Sequence, residues 1–558
     1  MARYPERIIK NIKRLNHILG TLVKYGFGYV IDKTRIEKVI KLRIFFKKAR
    51  KDILHLSPGE RIRKILEELG PTFIKFGQIL STRPDLIPVS FCKELEKLQD
   101  KAPSLPFNII KKIIQDEMNE PVEKIFKSIS SKALASASLA QIHEATLHSG
   151  SKVVIKVLKP QIEETIQSDL EILFYLARIS ELYLTKYLFA DPVQIIREFR
   201  KSISREINFL EESKSIKKFT KYFSKDKNVT IPRLFDEYTT KKILVMEKLE
   251  GIKITDVDSL RKKKIDPKRI ARISARSIFH QIFNYRSFHA DPHPGNIIVL
   301  NQNKIAFIDF GLTGRLDEST KYILMKLLQA LINKDMETLM IYLDKLIMLK
   351  DEVSKQEFQI ELDEMISDYY DYSLADIDLQ EIFEDVFKIM SKYKIKIPSN
   401  LFLLIKTLVT MEGIEKKLDP DFEIIKEITP FVKDFLMQEF SLATISKKIK
   451  RFAISFYDLV NILPARLDDI SDKISQGRLK VKFEFTELNN LLDNLHRIVN
   501  RLVYSIITAS VLLGSFFIIQ TNIKPRLFGY PVLSLAGILF SFVMIVLMII
   551  DIIRTRKH

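Results

Sequence analysis

Hydrophobic positions change period several times along the chain, and each change marks an element. Ile8, Ile9, Ile12, Leu15, Ile18, Leu19 and Leu22 recur at helical spacing with Arg7, Lys10, Lys13 and Arg14 among them. That pattern predicts a basic amphipathic helix. Residues 56–130 keep a helical period, broken at Pro58-Gly59, Gly70-Pro71, Pro84, Pro88, Pro103 and Pro106. Two β-branched runs follow, Leu139–Thr146 and Lys152–Val157, joined by His148-Ser149-Gly150. They predict a hairpin. The pattern is helical again from about 162 to 225, with further strands at Ile243–Glu247, Ile297–Leu300 and Ile305–Ile308. After Gly314 nearly everything to residue 500 reads as helix. The middle of the chain is therefore mixed α/β followed by all-α, without repeats or low-complexity linkers.

The C-terminal end has a different character. Leu502–Ile519 is an 18-residue run without a charge, and Tyr530–Ile550 gives 21 more. At about 1.5 Å per residue each run can cross a hydrocarbon layer of about 30 Å, which predicts a transmembrane hairpin. Arg497, Arg501, Arg554, Arg556 and Lys557 flank it on one side, against Lys524 and Arg526 in the connecting loop. The positive-inside rule then puts the body and both termini in the cytoplasm, with the protein integral to the cytoplasmic (inner) membrane. The N-terminal helix has two readings: an interfacial segment on anionic lipid, or a helix packed on the main domain with a solvated basic face.

Composition narrows the classes. The chain has 558 residues, 46% of them apolar, which is too long for one core and too apolar for a disordered protein. Cys92 is the single cysteine, so an intramolecular disulfide and a cysteine-based zinc cluster are excluded. A net charge of +20 asks for an anionic partner, and residues 1–55 alone carry 15 Lys/Arg against four Asp/Glu. Because the basic segments flank membrane elements and carry no matching aromatic motif, a lipid surface fits better than nucleic acid.

The chemistry concentrates at His289-Ala290-Asp291-Pro292-His293-Pro294-Gly295-Asn296, followed by Ile308-Asp309-Phe310-Gly311. An Asp, an Asn five residues later and a second Asp thirteen beyond that reproduce the spacing of a kinase catalytic loop and its metal-binding element. A hard Mg²⁺ takes oxygen ligands and keeps several waters, so the Asn296 carbonyl and the Asp309 carboxylate suffice beside phosphate oxygens. Asp291 is then the residue that orients or deprotonates an attacking hydroxyl or water. His289 and His293 lack a third soft ligand, and His289 takes a structural role. Lys156 ends a buried strand and needs an anionic partner, for which Glu206, Glu211 and Glu212 are candidates. Backbone groups around Glu247 and Leu249 are placed to meet an adenine edge. No G-x-G-x-x-G precedes Lys156; Ala135, Ser136, Ala137 and Ser138 stand in its place, and their β-carbons hinder the close backbone approach that glycine permits.

Taken in order, these motifs resemble the UbiB/AarF-like (ABC1/ADCK-type) atypical kinases associated with coenzyme Q biosynthesis. Lys75-Phe76-Gly77-Gln78 matches the K-x-G-Q signature, Ala135–Gln141 the alanine-rich loop, His289–Asn296 the H-x-D-P-H-P-G-N loop, and Lys406-Thr407 with Glu412-Gly413 and Leu418-Asp419-Pro420 a later helical signature. The resemblance covers roughly residues 70–420. Two departures stand out: Asn208 replaces the Asp of an E-x-D element, and Ser136 replaces an alanine, adding a hydroxyl that can reach a phosphate.

The resemblance implies an α+β fold: a protein-kinase-like two-lobed core with a helical N-terminal extension, an all-α C-terminal region and the two-helix transmembrane hairpin. The corresponding segments are 1–55 (basic amphipathic), 56–130 (extension with K-x-G-Q), 131–250 (N-lobe), 251–425 (C-lobe), 426–500 (helical connector) and 501–553 (hairpin). It places Lys75 and Gln78 in the active site with Lys75 near Glu206 and Glu212 paired to Lys156, the two glutamates remaining interchangeable. ATP or ADP with Mg²⁺ is the implied cofactor, and phosphoryl transfer or ATP hydrolysis in the service of a prenylated lipid or quinone precursor the implied activity. The alternatives are a small-molecule or lipid kinase and a nucleotide-gated scaffold for membrane biosynthetic enzymes.

Overall fold

Prolines and short polar caps start the helices that frame the core. The computed structural model describes residues 3–27, 55–83, 86–98, 102–184 and 191–346. It also describes 357–358, 360–365, 379–393, 398–439, isolated positions from 441 to 457, 488–520, 524–527 and 530–555. Residues 28–54 of the expected basic segment and 461–487 of the expected connector lie outside the described residues. The chain divides into two compact units, Met1–Ile445 and Ser446–His558.

In the first unit, α1 (Arg3–Lys24) packs against α2 (Pro58–Leu69), whose start is a capping box between Ser57 and Glu60. Leu15, Ile18, Leu19 and Val23 of α1 are buried. Arg14 forks onto Asp169, Nε to Oδ1 at 2.7 Å and a terminal nitrogen to Oδ2 at 3.1 Å. The C-terminal half of its apolar stripe therefore packs on protein, as the second of the two readings expects, while Ile12 is 41% exposed. Gly77 in α3 (Pro71–Ser81) permits close packing: a Cβ there would fall 2.4 Å from Leu98 Cδ1 and 2.6 Å from Leu66 Cδ1. Helices α4 (Val89–Leu95) and α5 (Phe107–Met118) complete the extension.

The upper sheet has strand order β1-β2-β3-β5, with β1 Phe126–Ser136, β2 Ala140–Leu147, β3 Lys152–Leu158 and β5 Ile243–Glu247. The predicted hairpin is β2–β3. Strand β1 corrects the helical reading of 126–130 and moves the start of the sheet ahead of 131. It is an edge strand exposed on both faces over most of its length, so it carries no alternating signal. Three helices intervene before β5: α6 (Ile162–Leu184), α7 (Pro192–Glu206) and α8 (Phe209–Phe223), with β4 (Val229–Thr230) after them.

The lower lobe is helical around small strands. A sheet of order β4-β9-β8-β6 joins β6 (Ile252–Lys253), β8 (Ile297–Leu300) and β9 (Lys304–Phe307), and β7 (Ser287–His289) pairs with β10 (Thr313–Arg315). Helix α9 (Pro267–Phe279) runs into a π turn, His280–Asn284. Beyond β10 come α10 (Glu318–Asn333), α11 (Met336–Leu346), α12 (Leu379–Lys392), α13 (Ser399–Leu418) and α14 (Ile424–Glu439).

The second unit contains α15 (Leu488–Ile519) and α16 (Val532–Thr555). Among the described residues one helix, Leu502–Ile519, is long and apolar enough to cross a membrane; Val532–Ile545 is a shorter apolar stretch. The two helices pack through small residues. A Cβ on Gly537 would meet Ser515 Oγ at 2.0 Å, and Ser541 donates to Thr508 O at 3.4 Å.

Candidate functional site

Register in the upper sheet places Lys156 opposite Ile142 and Leu244, in the interior of the sheet. Its ammonium reaches Glu212 in the first turn of α8, with Nζ–Oε distances of 2.9 and 3.0 Å, and lies 3.6 Å from Asp309 Oδ1. Glu212 also accepts the Phe310 N–H at 3.4 Å. Glu212, rather than Glu206, is therefore the lysine's direct partner. Glu206, the last residue of α7, pairs with Lys75 of α3 at 2.5 Å. Gln78, one turn on, donates to Leu98 O at 3.3 Å and so fastens the extension to itself. Asn208 caps α8 by accepting the Leu210 N–H at 3.2 Å. Asn and Asp cap equally well, so the departure from E-x-D keeps the cap and removes a negative charge.

The β8–β9 hairpin brings the two halves of the lower motif together. Ile308 N–H donates to Asn296 O at 3.0 Å, which sets Asp309 beside the asparagine loop. Asn296 Nδ2 donates to Asp291 O at 3.1 Å. His289 is 1% exposed; its Nε2–H donates to Asp309 O at 2.5 Å and its Nδ1 accepts the Asp291 N–H at 3.2 Å. This ring is a splint between loop and metal element, as expected. Among the described residues His293 accepts the Gly295 N–H at 3.1 Å and makes no other hydrogen bond.

Ala135 and Ser136 end β1, and Ala137 N–H closes a tight reversal onto Ala140 O at 2.9 Å, with Ser138 buried beneath it. The Ser136 hydroxyl donates to Pro103 O at 3.2 Å, in the segment leading to α5. This bond ties the alanine-rich turn to the extension. The Glu247 N–H and side chain bond the Arg233 backbone, and the Lys248 N–H bonds Lys152 O. Among the described residues the Leu249 N–H has no intramolecular acceptor. Leu249 lines an open groove of about 470 Å³ with Lys152, Lys248, Glu250 and Lys304. None of Lys156, Asp291 and Asp309 borders that groove.

Several contributors escaped sequence reasoning. Gln281 of the π turn accepts the His289 N–H at 2.9 Å, and Thr407 of α13 donates to His289 O at 3.3 Å. Lys406 Nζ lies 3.1 Å from Asp291 Oδ1. Gln141 brackets Leu105 with both its amide atoms and donates to His143 Nε2 at 2.8 Å, tying β2 to the extension. Lys406 and Thr407 had a signal, as part of the later helical motif; Gln281 and His143 had none.

The charges are arranged to coexist. Burial opposes the ammonium of Lys156, but Asp309, Glu212 and Glu206 outweigh it and lift its pKa above the usual lysine range. Burial also opposes the charge on Asp309, whose side chain nonetheless keeps 42% exposure. Lys156 and the Gly311 N–H override it and hold the carboxyl well below the usual range. Glu212, 6% exposed, is pushed up by burial against the pull of Lys156. His289 is lowered by burial, opposed by the charges of Asp309 and Asp291, and stays neutral.

The donor set fits a hard cation. Asp309 is ionised and open on one side, and Asn296 spends its nitrogen on the loop, keeping its carbonyl oxygen uncommitted among the described residues. Among these residues no group of three His, Cys, Asp or Glu could enclose a metal alone. Mg²⁺, which completes its shell with waters and phosphate oxygens, matches such an open set.

A two-lobed α+β core with a lysine–glutamate pair above an Asp/Asn loop and an Asp-Phe-Gly element defines a kinase-like protein. The chain belongs to the ABC1/UbiB family of such proteins. Its residues 97–343 match the ABC1 atypical kinase-like domain, 362–423 the UbiB helical domain and 486–554 the ABC1/UbiB kinase-like C-terminal domain. It is 32% identical to a "probable protein kinase UbiB" of Marinobacter nauticus over 82% of this chain and 85% of that one. It is also 32% identical to an "uncharacterized protein in hydrogenase 1 5'region" of Clostridium pasteurianum, over 98% and 99% of the two chains. A solved Mycobacterium tuberculosis structure, the Rv3197–erythromycin complex, covers 65% of this chain and 93% of its own at 22% identity and a TM-score of 0.46.

Proposed function

We propose that this chain is a membrane-anchored atypical kinase or ATPase that binds Mg-ATP between its lobes and acts in the service of isoprenoid-quinone lipid synthesis. The observation that carries the reading is the ionic triangle at Lys156, with Glu212 at 2.9 Å and Asp309 at 3.6 Å. It keeps a cation and an ionised carboxylate side by side, the pair that a nucleotide's phosphates and their metal require. Lys156 binds the phosphates, Asp309 and Asn296 hold Mg²⁺, which neutralises phosphate charge when bound, and Asp291 receives the proton of the attacking water or hydroxyl. The Ala135–Ser138 reversal borders the phosphates, and the backbone at Glu247 and Leu249 receives the adenine. Lys75, Gln78 and Glu206 form the extension's side of the site.

The name UbiB among the relatives supports a ubiquinone-type pathway, with a prenylated precursor as the partner molecule. Small-residue packing of α15 on α16 supports an integral hairpin. The excess of flanking Arg and Lys over the connecting loop supports a body on the cytoplasmic side of the cytoplasmic membrane. The second reading, a nucleotide-gated scaffold, has the Lys75–Glu206 bridge in its favour, since a cation of the extension already occupies a glutamate beside Lys156.

The test is Mg-ATP and Mg-ADP binding and phosphate release by purified protein in liposomes. Wild type gives a thermal shift and turnover, and Asp309→Asn loses turnover by at least about 10²-fold. Binding without turnover in both, and an unimpaired Asp291→Asn in cells, supports the scaffold instead. No Mg-nucleotide effect in wild type overturns both readings.

A further inference from the structure

The backbone of the catalytic loop is fixed from three directions. Gln281 takes the His289 N–H, Thr407 donates to the His289 carbonyl, and Asn296 donates to the Asp291 carbonyl. The Asp291 carboxylate is different. Among the described residues its hydrogen-bonding side-chain partner is Lys406, at 3.1 Å from Oδ1, and both side chains are partly exposed, 37% and 40%. The loop cannot supply a cation itself. The two residues after Asp291 are Pro292 and His293, and His293 is turned back onto the Gly295 N–H. Lys156 is engaged by Glu212 and Asp309. An aspartate that is half open to solvent samples several rotamers unless something holds it, and a base that is misdirected by about 1 Å loses about 10²-fold in rate.

We infer that Lys406 is the positioning residue for Asp291, and that α13 thereby completes the active site from outside the kinase-like domain. Helix α13 reaches the loop with two consecutive residues: Thr407, fully buried, locks its backbone, and Lys406 aims its carboxylate. Both lie within the 362–423 helical domain, beyond the 97–343 kinase-like match. The folded kinase-like segment thus holds the metal and phosphate groups, while the orientation of its proton acceptor comes from the helical domain that follows. Glu96, after α4, also faces Lys406 and adds a second carboxylate on the extension's side.

This inference rests on the proposed Mg-ATP chemistry, so one arm of its test does not depend on turnover. In the full-length protein in liposomes, Lys406→Met lowers kcat by about 10²-fold while Mg-ADP affinity stays within about twofold, and Lys406→Arg recovers most of the loss. Because the lysine acts through the aspartate, Lys406→Met in an Asp291→Asn background costs no more than about twofold further. Thermal unfolding matched to wild type excludes a misfolded variant. A kcat kept within about twofold in Lys406→Met, or losses that multiply in the double variant, overturns the assignment. The second arm is a zero-length cross-link. A carbodiimide joins the Asp291 carboxyl to the Lys406 amine as an amide, the reagent leaving as its urea, and peptide mass spectrometry reads the product. The exposed Lys268–Asp421 pair at 3.0 Å is the positive control. If wild type hydrolyses nothing yet 291–406 cross-links, the catalytic reading falls and the placement stands. If the control couples and 291–406 does not, the placement falls.

Discussion

At the residue scale, burial and neighbouring charges move the ionisable groups of the site in different directions: Lys156 and Glu212 up, Asp309 and His289 down. His289 shows the consequence for stability. Its ring is fully buried and neutral, and burial lowers its pKa from an ordinary value of 6.5. Below that value the unfolded chain binds a proton that the folded ring refuses, so stability falls as pH drops. His280 is shifted the same way, also by burial, and adds to the slope. His289→Gln is expected to reduce, without abolishing, the loss of urea resistance between about pH 7 and about pH 5. An unchanged slope would show that the ring titrates freely in the fold. The motif itself was legible residue by residue, because the spacing of Asp291, Asn296 and Asp309 lies within one hairpin. The choice between Glu206 and Glu212 was not legible, since both sit at neighbouring helix ends and only the fold brings one of them within 3 Å of Lys156.

At the scale of elements, helices α9 and α13 act as splints for the catalytic loop, one through the π turn and Gln281, the other through Lys406 and Thr407. Between them lies Glu415, fully buried with no cation among the described residues and facing Ser274 of α9. Burial raises its pKa well above the ordinary 4.5, with Ser274 pulling weakly the other way. The folded state therefore keeps a proton that the unfolded chain releases as pH rises, and stability declines on the alkaline side. Glu415→Gln is expected to gain on wild type in Tm at about pH 8 more than at about pH 5. A constant difference across pH would place a charged, compensated carboxylate there. Hydrophobic period anticipated most helices and the β2–β3 hairpin, because burial on one face dictates period. It missed β1, which is exposed on both faces and owes its conformation to pairing with β2.

At the scale of the whole molecule, the charge has found more than one home. The stretch Arg261–Arg276 carries eight Lys/Arg and one Asp, all eight exposed, so the lower lobe shares with residues 1–55 the excess behind the net +20. Meanwhile α1, the strongest amphipathic candidate for a lipid surface, packs Leu15, Ile18, Leu19 and Val23 into the core of the first unit. The proposed membrane attachment therefore rests on the apolar helix Leu502–Ile519 of the second unit. The chain is expected to stay with pelleted membranes at about pH 11, whereas a chain lacking 501–553 is released, since no backbone group of a spanning helix gains by leaving hydrocarbon. Release of the intact chain would sink the hairpin.

The sequence by itself determined what depends on neighbours a few residues apart: the catalytic-loop spacing, the substitution of an alanine-rich turn for a glycine-rich one, and the uncharged runs near the C-terminus. Tertiary structure alone decided what depends on partners far apart in the chain. Lys75 meets Glu206, Lys156 meets Glu212, Arg14 meets Asp169 and Lys406 meets Asp291. An ion pair forms where two side chains arrive within about 4 Å, and that distance is set by the packing of helices on a sheet, which no local period records.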